Sequence, residues 1–138
     1  MYAIKASIFI AQNGSEAKCV RVKEIAKGIK APEYFIAKIL QDLNRKRFII
    51  SVKGPKGGFY MTEKQRNSTV ERIVIEFDGD ELLSSCILGL EECGSKNPCP
   101  MHHEYMKIRE QIKGMLRGNT IADFEESVFA KKSVLKLN

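Results

Sequence analysis

Three glycines and a proline within five positions, Gly54-Pro55-Lys56-Gly57-Gly58, set the tightest local limit on how this sequence folds. Proline lacks an amide donor and glycine is costly in a helix, so no regular helix crosses the stretch. The flanking residues, Phe48-Ile49-Ile50-Ser51-Val52-Lys53 before it and Phe59-Tyr60-Met61-Thr62 after it, are largely β-branched and aromatic. Two extended runs around a concentrated turn predict a β-hairpin. What precedes it has a helical period. Residues 2–12 carry Ile4, Ile8 and Ala11 at helical spacing and stop at Asn13-Gly14-Ser15. Val22, Ile25, Ala26 and Ile29 repeat at i, i+3, i+4, i+7 and end at Lys30-Ala31-Pro32. With Pro32 as the first residue of a third helix and Ala31 as a poor N-cap, Phe35, Ile36, Ile39, Leu40 and Leu43 make one apolar stripe.

The other side of that third helix carries Tyr34, Ala37, Lys38, Gln41 and Arg45 and runs into Lys46-Arg47. Every amphipathic helix has a polar side, so a plain helical hairpin fits this pattern as well. The hairpin that follows shifts the balance. Helices, a tight connection, a helix with a basic outer face and a β-hairpin make a winged helix-turn-helix. In that arrangement Tyr34, Lys38 and Gln41 face bases, while Arg45, with Lys53 and Lys56 at the wing tip, holds phosphates. The glycines do not follow the order of a nucleotide-binding loop and do not open a helix. Charge agrees with a polyanion partner, nucleic acid or an anionic membrane surface. Residues 1–64 hold 13 Lys and Arg against 5 Asp and Glu, a net +8, whereas residues 65–138 come to −2. A bland solvated surface has the same balance, so charge alone does not decide.

The second half supplies metal-ligand chemistry. Cys86, Cys93 and Cys99 fall within fourteen residues and are followed by His102 and His103. Thiolates and imidazole suit an iron-sulfur cluster or zinc, and Gly94-Ser95-Lys96-Asn97-Pro98 is an irregular loop able to wrap one. The alternative is a set of small buried thiols with exposed histidines. Cys99-Pro100 is expected to open a long helix with Cys99 at its N-cap, where the dipole favours a thiolate, and His102 at the same end. Along that helix Tyr105, Ile108, Ile112 and Met115 form a seam that predicts a twofold homodimer. Before the cysteines, Ser68-Thr69-Val70-Glu71 has capping-box spacing, and Val70, Ile73, Val74 and Phe77 predict a helix closed by Gly79 that braces the wing. Thr120-Ile121-Ala122-Asp123 caps another helix, and a tail is mobile from Lys131. Cys19 stands apart and reads as a small buried residue.

The fold class expected is therefore mainly α with a small β-hairpin. Residues 1–64 form the winged helix-turn-helix domain, 65–126 the cluster-binding loop and dimerisation helices, and 127–138 the tail. The longest uncharged runs, residues 6–15 and 82–90, are too short to span a membrane. A cytoplasmic location and reduced cysteines are expected. No Ser/His/Asp order, phosphate loop or paired-carboxylate motif marks an enzyme.

The third helix, the run from Ser51 to Phe59 and the three cysteines together resemble the Rrf-two family of winged-helix regulators, IscR/NsrR-like iron-sulfur sensors, over residues 2–126. The resemblance implies a homodimeric transcription factor, a repressor, that binds a palindromic operator in double-stranded DNA. Its DNA binding answers to iron-sulfur status, nitric oxide or redox state. Cys86, Cys93 and Cys99 match the family's cysteine ligands. His102 matches the nitrogen ligand of IscR-like members; other members use a carboxylate at a position that is Met1 here. A 2Fe-2S cluster is favoured over 4Fe-4S. A zinc-stabilised or thiol-redox regulator is the alternative. The first two cysteines stand one residue farther apart than is usual in IscR and NsrR, and Ala37 replaces a glutamate that helps IscR select sites, so the operator is not carried over.

Overall fold

The computed structural model describes residues 1–129. In chain order the elements are α1 (Tyr2–Asn13), α2 (Val22–Ile29), α3 (Glu33–Arg45), β1 (Ile50–Val52), β2 (Gly58–Tyr60), α4 (Glu63–Arg66), α5 (Val70–Asp78), α6 (Glu81–Ser84), α7 (His102–Arg117) and α8 (Ile121–Phe129). The chain is mainly helical with one two-stranded antiparallel sheet, pairing Ile50 with Tyr60 and Val52 with Gly58. It forms two compact units, Met1–Ser68 with the segment from Thr120, and Thr69–Asn119.

In the first unit α1, α2 and α3 pack on one another, and α8 lies against α1. Helix α1 is buried almost all round, with Ala3, Ile4, Ala6, Ser7, Ile8, Ile10 and Ala11 inside. Gly28 explains how close α2 comes: a Cβ there would lie 2.0 Å from the Phe9 ring. On α3 the apolar stripe is Ile36, Leu40 and Leu43, all buried. Ile39 is half-buried, and Phe35 is 39% exposed and edge-on to Tyr2, with ring centroids 5.2 Å apart. Pro32 is itself the N-cap of α3, one residue later than expected, because it adopts an extended ψ of 135°. Phe48 and Ile49 are core residues ahead of the strand rather than part of it. The wing is anchored from outside the hairpin: Val20 and Phe59 exchange both backbone hydrogen bonds, at 3.0 and 2.7 Å. Gly58, at φ 147°, leaves room for this approach, since a Cβ there would lie 2.5 Å from the Val20 carbonyl oxygen.

Past the hairpin, Thr62 and Gln65 form a reciprocal capping box around α4. Thr120 and Asp123 do the same for α8, as the sequence predicts. Helix α8 runs through Phe129, so the first residues assigned to the tail are helical; the stretch expected to be mobile from Lys131 lies outside the described residues. Cys19 is half-buried rather than enclosed.

In the second unit α5 and α6 both pack on α7. Val70, Ile73, Val74, Leu83 and Leu116 are its buried apolar residues. Within this unit helix α5 has its partner in α7. Its N-cap is Thr69, whose Oγ1 accepts from the Arg72 amide, one residue later than the expected box. Helix α7 starts at His102 with Met101 as N-cap. Cys99 is therefore outside the helix, in a turn closed by the His102 amide donating to the Cys99 carbonyl at 3.0 Å.

Candidate metal centre and nucleic-acid interface

The segment between α6 and α7 is a succession of tight turns. The Gly89 amide donates to the Cys86 carbonyl, Cys93 to Leu90 and Gly94 to Asn97, at 3.0, 3.3 and 3.2 Å. These turns fold the loop back on itself and bring the sulfurs of Cys86, Cys93 and Cys99 within 4.8 Å of one another. Cys86 Sγ lies 3.6 Å from Cys99 Sγ, and Cys93 Sγ accepts from the Cys99 amide at 3.4 Å. His102, at the first position of α7, places Nδ1 3.4 Å from Cys93 Sγ. Its other ring nitrogen, Nε2, is buried without a hydrogen-bond partner among the described residues. His103 is exposed and edge-on to His102.

The thiols are not equivalent. Hydrogen bonding from the Leu90 backbone, opposed by burial and helped by Leu88, Cys93 and Cys99, lowers Cys86 to about 7. At Cys93 the Cys99 amide favours the thiolate, but burial and the two neighbouring thiols outweigh it and push the group up. A shallow pocket of about 670 Å³, lined by Leu90, Glu92, Cys93, Asn97, Pro98 and Cys99 among others, opens Cys93 and Cys99 to solvent.

Arg109 was not among the sequence-derived site residues. It reaches from α7 to donate through Nη1 to the carbonyls of Ser84 and Ser85, at 2.9 and 3.2 Å. That fixes the chain just ahead of Cys86. The available signal was spacing: Arg109 follows His102 by two helical turns and so lies on the same side of α7.

In the first unit the expected base-reading residues share one face of α3. Tyr34 is 81% exposed, Lys38 and Gln41 are exposed, and they stand at i, i+4 and i+7. Arg45 is exposed at the end of the helix, with Nη2 donating to Asp42 Oδ1 at 2.8 Å. Lys53 and Lys56 project at the exposed tip of the hairpin. No helix among the described residues is long and apolar enough to cross a membrane.

A family model described as an iron-dependent transcriptional regulator, Rrf2, matches residues 1–127. The chain belongs to the Rrf2 (Rrf-two) family. A relative in Aquifex aeolicus (strain VF5), named as an HTH-type transcriptional regulator, is 34% identical over 124 residues, covering 88% of this chain and 85% of its own. Among solved structures, CymR, the global cysteine regulator of B. subtilis, superposes with a TM-score of 0.74 at 18% identity, covering 91% of each chain. The IscR of T. potens superposes with a TM-score of 0.72 at 21% identity, covering 96% of this chain and 87% of that one. At these identities the two structures establish the winged-helix fold alone. This Rrf2 chain is a transcriptional regulator and not an enzyme.

Proposed function

We propose that this chain is a repressor, acting in the cytoplasm, whose grip on an operator is set by an iron-sulfur cluster held at Cys86, Cys93, Cys99 and His102. The observation that carries the reading is the gathering of three thiol sulfurs within 4.8 Å, with an imidazole beside them whose Nε2 is buried and unpartnered among the described residues. Soft sulfur donors with one nitrogen fit an iron-sulfur core. Such a core supplies a site that oxidants and nitric oxide attack. The chain's own contributions are distinct: the turns hold the sulfurs together, Arg109 fixes the approach to Cys86, and the open pocket admits small molecules.

In the DNA-binding half, Tyr34, Lys38 and Gln41 meet base edges in the major groove, and Arg45, Lys53 and Lys56 meet phosphates. Two copies, joined through the α7 face that carries Ile108 and Met115, 52% and 58% exposed, read the two halves of a palindrome. A lowered Cys86 thiol 3.6 Å from Cys99 Sγ favours one second reading, a thiol-redox regulator without a cluster; the same donor set would close a zinc site.

Purification without oxygen, followed by iron and sulfide assay, visible absorption and duplex binding of loaded and stripped protein, tests these readings together. The expected result is coloured protein whose operator affinity changes on stripping. Colourless, iron-free protein with unaltered affinity sinks the cluster reading, and stoichiometric zinc would replace it. Independently, Lys53→Ala is expected to weaken duplex binding and reduce the salt slope by about one.

A further inference from the structure

The turn that ends α3 has a geometry suited to glycine and carries an arginine. The Arg47 amide donates to the Asn44 carbonyl at 3.0 Å and the Phe48 amide to the Leu43 carbonyl at 2.9 Å. These are the paired bonds of a Schellman C-cap. The apolar residues that accompany the motif, Leu43 and Phe48, are 0% and 1% exposed. The cap puts residue 47 in the left-handed region, at φ 63°, where glycine is unstrained and a side chain is crowded. Gln65 Nε2, just past the wing, donates to the Arg47 carbonyl at 3.0 Å and fixes the turn from a second direction.

Arg47 is exposed, and its side chain makes no hydrogen bond or ion pair among the described residues that would offset this strain. By contrast, Arg45 is bonded to Asp42, and Arg66 to Glu125 at 2.7 Å. Arg47 also occupies a particular place in the chain, after the last residue of α3 and before the first strand of the wing. Arg47 thus lies between the helix that the DNA-binding reading places against bases and the hairpin that it places against phosphates.

We propose that Arg47 is an additional DNA-backbone contact, its guanidinium held toward a phosphate by the left-handed turn. The proposal rests on the DNA-binding reading above. A planar guanidinium can donate two parallel hydrogen bonds to phosphate oxygens, and a turn fixed at both ends limits the freedom lost on binding. A purely structural use of the charge also exists, because cations favour helix C-termini and Lys30, at φ 56°, closes α2 in the same way. That use would register in stability and not in DNA binding.

The test uses the full chain, a mixed-sequence duplex and a salt series followed by fluorescence anisotropy, with thermal unfolding in parallel. Arg47→Gly is expected to weaken binding about eightfold per protomer near 0.1 M salt and to lower the salt slope by about one per protomer, with Tm unchanged or raised. Arg47→Lys is expected to keep the slope. An Arg47→Gly slope equal to wild type, or a binding loss matched by a fall in Tm, overturns the proposal. If Lys53→Ala weakens binding while Arg47→Gly does not, the interface stands and Arg47 leaves it. If wild-type binding does not respond to salt, the DNA reading itself fails.

Discussion

At Cys86 the protein holds a thiol about two pH units below its ordinary value of 9.0, chiefly through the Leu90 backbone. A group lowered on folding contributes stability above its unfolded value, and that contribution is lost as pH falls through about 7. In metal-free protein, alkylation of Cys86 by iodoacetamide is therefore expected to be half-maximal near pH 7 and to fall as the solution is acidified further. Cys93, pushed the other way, stays a thiol at neutral pH and reacts slowly. Peptide mass spectrometry after short pulses reads both rates, and equal rates at the two positions would refute the asymmetry. The sequence puts three cysteines and a histidine close enough along the chain to share a site, with buried thiols and exposed histidines as the alternative. It could not show which sulfur is activated, since that depends on backbone amides aimed by turns.

Elements with a full period were legible, and those without one were not. Helices α1, α2 and α3 could be placed from apolar spacing, and the hairpin from its turn residues. Helices α4 and α6, four residues each, are too short to show a period. The pairing of Val20 with Phe59 is invisible locally because it joins distant parts of the chain. The sequence pattern opens α7 at Cys99-Pro100 because proline favours a first helical position, whereas a separate turn at Cys99 intervenes and the helix starts at His102. Arg109 illustrates what such misplacement hides, since its role appears only once α6 and α7 are both in view. Because Arg109 holds the carbonyls of Ser84 and Ser85, Arg109→Ala is expected to free the approach to Cys86. The predicted cost is about 10- to 100-fold in metal affinity at the cysteine centre, read by competitive zinc titration of the anaerobic apoprotein. An unchanged affinity would assign Arg109 to helix packing alone.

For the whole molecule, the exposed apolar face of α7 and the path of the chain each carry a prediction. Ile108→Glu is expected to shift the protein from dimer to monomer in sedimentation equilibrium while its helical circular dichroism is retained; a dimer that persists would place the contact elsewhere. The path is unusual in that the Thr69–Asn119 unit lies between two parts of the first. The chain leaves and returns side by side: the Ile121 amide donates to the Ser68 carbonyl at 3.2 Å, and the Val70 amide to the Asn119 carbonyl at 2.9 Å. Joining residue 68 to residue 120 by a short Gly/Ser linker is expected to leave a folded winged helix that binds duplex weakly and takes up no iron. Loss of its cooperative thermal transition would show that α1 and α8 do not suffice to close that unit. With entry and exit stitched together in this manner, whatever hangs between them becomes a cassette. Such a cassette can be exchanged as a unit, because both of its ends are fixed at one point of the fold that carries it.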